Sequence, residues 1–125
     1  MRKAIVAIVV LGALIGSSVA SGSVVISLGY MHDQTARTAK RVANGTRDAE
    51  TYGVVRCRRF TNLSGKCVGR ITGHSVNPSD PAQTPLAWDC LFVERFRIDR
   101  FGHVHKGIGA VQCSGPGKSY IQRHR

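Results

Sequence analysis

WDCLFVERFRIDRFGHVHKGIGAVQC, residues 88–113, decides the fold, because its alternation states which side chains share a face. The even positions Trp88, Cys90, Phe92, Phe96 and Ile98 are apolar, and only Glu94 interrupts them. The odd positions mix Leu91 and Val93 with Asp89, Arg95, Arg97 and Asp99. Period-two alternation of this kind marks a strand with one buried face, so Leu86 to Asp99 reads as the longest strand and its even face as core.

The returning segment, His103 to Cys113, is its partner, and the turn between them fixes the register. A slip of one residue moves every side chain to the opposite face. A two-residue loop at Arg100-Phe101 would set Ile98 opposite His103 and Phe96 opposite His105. Both imidazoles would then enter the core beside Glu94, in an arrangement suited to acid-base chemistry. A three-residue loop, Arg100-Phe101-Gly102, puts glycine where a type I turn with a G1 bulge needs positive φ. Ile98 then faces Val104, Glu94 faces Ile108 and Phe92 faces Ala110, with Lys106 diagonal to Glu94 as an ion-pair partner. This register matches apolar with apolar and is the one expected. It leaves Arg95, Arg97 and Asp99 on the outer face with His103 and His105, His105 opposite Arg97 and His103 opposite Asp99.

Upstream, from Tyr52, short β-branched and aromatic runs alternate with turn clusters. Val54 to Phe60 and Lys66 to Val76 read as two strands joined by a loop at Thr61 to Gly65, with Cys57 and Cys67 flanking it. If this hairpin neighbours the second in one sheet, Arg56, Arg58 and Arg59 extend the cationic outer face. Asn77 to Pro85 holds three prolines and no apolar period, which makes it a loop. Residues 114–125 read as a basic tail. The resulting fold class is mainly β: a small antiparallel sheet of two or more hairpins, disulfide-stapled, spanning residues 51–113. An apolar N-terminal helix and a polar helical or flexible stalk precede it.

Four cysteines, Cys57, Cys67, Cys90 and Cys113, all lie beyond the N-terminal apolar run, an even number distributed as in an exported disulfide framework. Of the three connectivities, Cys57 with Cys67 and Cys90 with Cys113 close the shortest loops. Zinc has no support from a C-x2-C pair or regular histidine spacing, so no metal site is expected. A domain of roughly 95 residues buries too little surface to be robust without such staples.

Met1-Arg2-Lys3 followed by the uncharged run Ala4 to Gly16 has the form of a secretory signal, and Ser18-Val19-Ala20 offers small residues for cleavage. Ser23 to Gly29 then resumes the apolar character, and about 20 apolar residues suffice to span a bilayer. Residues 1–29 therefore read as a signal peptide or as an uncleaved anchor, with the cysteines outside in either case. Residues 30–50, rich in Ala, Thr and Arg, show no hydrophobic face and read as the stalk.

The chain of 125 residues carries 18 basic against 7 acidic side chains, for a formal charge of +11, with 13 Arg to 5 Lys. Guanidinium groups match phosphate and carboxylate through a planar fork, so anionic partners are expected. The first function expected is an exported basic binding module whose Arg/His face (Arg56, Arg58, Arg59, Arg95, Arg97, His103, His105) engages nucleic acid, anionic lipid or a cell-envelope polymer. A second is a structural or accessory membrane-anchored envelope protein held by a larger partner. A third is a small secreted ribonuclease or toxin, with Glu94 as base, His103 or His105 as acid and Arg97 on the phosphate. No cofactor is expected: Gly115-Pro116-Gly117-Lys118-Ser119 lacks the spacing of a phosphate-binding loop, and no G-x-S-x-G or H-E-x-x-H occurs.

Overall fold

A computed structural model describes residues 24–123, so the signal or anchor expected in residues 1–29 lies almost wholly outside the described residues. Among the described residues, no helix is long and apolar enough to cross a membrane. The order of elements is α1 (Leu28–Asn44), β1 (Ala49–Thr61), β2 (Ser64–Ser75), β3 (Leu86–Ile98), β4 (Val104–Ile108) and β5 (Gln112–Ser114), then a short 3-10 turn at Lys118–Tyr120. The strands form one antiparallel sheet in the order β1-β2-β3-β4, and β5 pairs with β3 beyond the end of β4. The expectation of a mainly β, antiparallel, doubly disulfide-bonded fold holds.

The even side chains of β3, Trp88 to Ile98, are all buried, Glu94 included. Its pairing with β4 is the expected one, Ile98 opposite Val104, Arg97 opposite His105 and Glu94 opposite Ile108. Gly102 sits at φ +82° in the three-residue loop, which the Asp99 N–H to His103 carbonyl bond of 2.9 Å closes. Beyond Ile108 the expected register fails. Phe92 does not pair with Ala110, because Gly109 turns its N–H to the Val93 carbonyl at 2.8 Å and the ladder resumes one residue out of step at Leu91–Gln112 and Cys90–Cys113.

The first hairpin is longer than the sequence implied. β1 and β2 run to Thr61 and Ser64, leaving Asn62 and Leu63 as the turn. Cys57 and Cys67 stand directly opposite in this ladder, as Cys90 and Cys113 do between β3 and β5, and both pairs are disulfide-bonded. Cross-strand neighbours of this kind have Cβ atoms close enough to bridge without moving the backbone.

Of the helical or flexible stalk expected over residues 30–50, the helix is present, and it lies against the sheet. Ser27 caps α1, its hydroxyl accepting the Tyr30 N–H at 3.0 Å, and Gly45 ends it through N–H bonds to Arg41 and Val42. The buried positions Met31, Thr35, Thr38, Ala39 and Ala43 recur at helical spacing and lie on the sheet. Ala39 and Ala43 pack with Ile71, Trp88, Cys90 and Phe92, while Met31 packs with Ile26, Cys67, Phe96 and Ile98. This face is built from alanine and threonine, which contribute little hydropathy, and so it escapes a reading by apolar period.

The part of the basic tail that is described, residues 114–123, packs back on the domain. Ile121 packs against the Trp88 cluster, the Gly117 N–H bonds the Ala87 carbonyl at 2.9 Å, and the Arg47 N–H bonds the Gln122 carbonyl at 2.7 Å.

Candidate functional site

The face of the sheet away from α1 carries the even residues of β2 and the odd residues of β3, since the odd residues of β2 lie opposite the buried even residues of β3. Reading across the strands at this face, Arg58 stands opposite Lys66, and Lys66 opposite Arg95. One step toward the turns, Ser64 stands opposite Arg97, and Arg97 opposite His105. One step the other way, Arg56 pairs with Val68, which pairs with Val93. Because β2 and β3 are neighbours, the two hairpins join their cations into one patch. Arg56, Arg58, Arg95, Arg97 and His105 belong to it, and His103 borders it in the β3–β4 turn.

Arg59 does not belong. It pairs with Gly65, whose face is the one that receives α1, so its side chain points away from the patch. Lys66, absent from the sequence-based set, sits at the patch's centre. The signal that could have found it is the alternation of β2, in which Lys66 shares a parity with Arg70 and opposes buried Cys67.

Phe60 supplies an aromatic surface within the patch, half exposed, with the Arg58 guanidinium and the Lys66 ammonium each 5.7 Å from its ring centroid. Among the described residues, no carboxylate lies within 4.0 Å of Arg56, Arg58, Lys66, Arg95 or Arg97. Farther along the same face, Arg70 is paired with Asp89 through bonds of 3.0 and 3.1 Å from Nε. Glu50 is likewise occupied, its Oε1 accepting from His74 Nδ1 at 2.9 Å.

At the β3–β4 turn, Asp99 Oδ1 accepts the N–H groups of Phe101 and His103, each at 2.9 Å. Its Oδ2 accepts from His105 Nε2 at 2.6 Å, and His103 Nδ1 lies 3.8 Å away. The His105 bond, followed by that from the His103 backbone, lowers the Asp99 carboxyl from 3.8 to about 2. The two histidines are therefore organised around an acidic side chain and serve the turn.

Glu94 lies on the opposite side of the sheet from His103, His105 and Arg97. It is 2% exposed beneath α1, its Oε1 2.9 Å from the Thr35 hydroxyl and its Oε2 2.9 Å from the Thr38 hydroxyl. The ion pair expected between Glu94 and Lys106 does not form, because the Lys106 ammonium donates to Gln34 Oε1 at 2.8 Å. The β3–β4 register thus separates the base from the acid of the nuclease trio by the thickness of the sheet. Among the described residues, no group of three metal-ligating side chains occurs. Two shallow surface depressions, one bounded by Tyr52, Gly53 and Arg70 and one by Trp88, Asp89 and Pro116, lie toward the other end of the sheet from the cationic patch.

Fold and site together define a disulfide-bonded antiparallel β domain with a helix across one face and a row of cations across the other. No protein-family model matches the chain, and no curated protein or solved structure matches it. Its reading rests on the geometry above.

Proposed function

We propose that this protein is an extracytoplasmic binding module whose outer β face takes an anionic partner. The observation that carries this reading is the row Arg58–Lys66–Arg95, three cations side by side across three strands with, among the described residues, no carboxylate within 4.0 Å of them. Like charges directly opposite on a ladder repel and lower stability. A bound polyanion converts that repulsion into attraction, and the forked guanidinium groups give it bidentate contacts.

The two disulfides are consistent with an extracellular location, since such bonds persist in oxidising compartments. Export by the apolar N-terminal segment, whether cleaved or kept as an anchor, completes the reading.

The full chain, purified in detergent, should bind immobilised heparin with an affinity that falls steeply as salt rises, because the contacts are exposed and screened. Charge reversal of two members of the row, Arg58→Glu with Arg95→Glu, should weaken binding more than tenfold, at about 1 kcal/mol per cation removed and a further penalty for each anion added. Reversal of Arg47, at the far end of α1, should change it less than twofold. Equal affinity of the row variant and the parent would overturn the proposal.

A further inference from the structure

Both turns at one end of the sheet present apolar tips. The β1–β2 turn exposes Leu63 (42%) and the β3–β4 turn exposes Phe101 (70%). Neither tip is slack. The Leu63 N–H is held by the Thr61 hydroxyl at 3.0 Å and its carbonyl by the Ile98 N–H at 2.7 Å. Phe101 is held by the Asp99 carboxylate, with the Arg100 guanidinium 4.9 Å from its ring centroid.

The chain enters the domain at this same end, for the Ile26 N–H bonds the Asn62 carbonyl at 2.6 Å. The entering residues Val24 and Val25 are themselves exposed, at 55% and 42%, and the uncharged run from Ala4 to Gly29 leads into them. Charge is distributed to match. Arg58, Lys66, Arg97 and Arg100 lie toward this end with Asp99, whose carboxylate is taken up by His105 and two turn N–H groups, whereas Asp48, Glu50, Asp80 and Asp89 lie toward the other, where Arg70 and His74 pair with Asp89 and Glu50.

We infer that this end of the sheet rests on an anionic bilayer, with Leu63 and Phe101 at the boundary between headgroups and acyl chains and Arg97 and Arg100 pairing with lipid phosphate. The inference rests on the anion-binding reading of the outer face and names its partner. Phenylalanine and leucine on a peripheral apolar surface bury into the boundary between headgroups and acyl chains, and each basic residue near an anionic surface adds attraction. Aliphatic tips decide between partners: Leu63, Val24 and Val25 gain from partial insertion among acyl chains, whereas an extended polyanion offers them nothing to bury against. The single Trp88, buried beneath α1, leaves the tips free to be labelled by tryptophan.

The test uses the full chain reconstituted into vesicles whose acyl chains carry bromine, which quenches tryptophan that reaches them. Phe101→Trp and Leu63→Trp are compared with Tyr52→Trp, an exposed position in the far half of β1. In vesicles containing phosphatidylglycerol, the two tip variants should be quenched at least twofold, while Tyr52→Trp and the parent stay unchanged, and 0.5 M salt should abolish the difference. Quenching at the tips no greater than at Tyr52→Trp would overturn the inference. So would tip quenching of equal size in phosphatidylcholine alone, since the tether would then account for it without headgroup recognition. Heparin binding measured on the same preparations separates the two readings. Retained heparin binding without tip quenching rejects the membrane partner and leaves the anion-binding face. Loss of both rejects the two together.

Discussion

Glu94 meets no cation within 4.0 Å among the described residues, and hydroxyls from two successive turns of α1 answer it instead. Thr38→Val keeps the shape of the side chain but strips the buried carboxylate of one donor. The domain should lose about 1–3 kcal/mol, read as a lower urea midpoint with an unchanged slope. Tyr30, beside this pocket, has its phenol raised by burial and secondarily by the Glu94 charge. Asp99 shows the opposite behaviour. Its folded carboxyl titrates at about 2, below the usual aspartate value near 3.9, so its contribution to stability is present above about pH 4 and fades as pH falls toward 2. Asp99→Asn should therefore be less stable than the parent at pH 6, and thermal melts of the two should converge as pH drops from 4 to 2. The sequence revealed Glu94 as the one polar member of an apolar face and Asp99 as an outer-face residue opposite His103 at the strand's end. It did not reveal the donors, because Thr35 and Thr38 are remote in the chain and meet Glu94 only when α1 crosses the sheet.

The β2–β3 ladder owes its thickness to a pairing rule. Trp88 lies opposite Gly73, Phe92 opposite Gly69 and Phe96 opposite Gly65, so each large ring of β3 stands beside a residue without a side chain. A Cβ at Gly69 would overlap the Phe92 ring, and one at Gly65 would lie 2.7 Å from Met31 Sδ. Gly69→Ala should thus cost about 1–3 kcal/mol in denaturant unfolding, as overpacking does, whereas Gly53→Ala, with nothing within 4 Å of the added carbon, should differ from the parent by under about 0.5 kcal/mol. Strand β3 and the register of β4 were legible because alternation and turn chemistry are local. The four-residue spacing of Gly65, Gly69 and Gly73 was in plain view but acquires meaning only once the rings opposite are known. The contact face of the helix hid for a related reason: alanine and threonine form it through small volume, and volume leaves no trace in hydropathy.

At the scale of the molecule, the two disulfides have different tasks. Cys57–Cys67 spans 10 residues of a hairpin already closed by its own ladder, whereas Cys90–Cys113 spans 23 and ties a three-residue strand to the sheet. Replacing Cys90 and Cys113 together by alanine should cost about 2–4 kcal/mol and release amide protection across residues 112–123 before any other segment, as read by hydrogen exchange. The corresponding Cys57 and Cys67 pair should lower global stability with no such local opening. The outer-face patch was partly legible, because charge and alternation placed Arg95 and Arg97 correctly, but Lys66 and Arg59 exchanged roles once the ladder between β1 and β2 was fixed. Ile26 is 2% exposed and sits among Met31, Phe96 and Ile98, so the core begins ahead of α1. A pull on the chain at Val24 would therefore be borne by the Ile26 packing, as a load on the core and not on a slack leash.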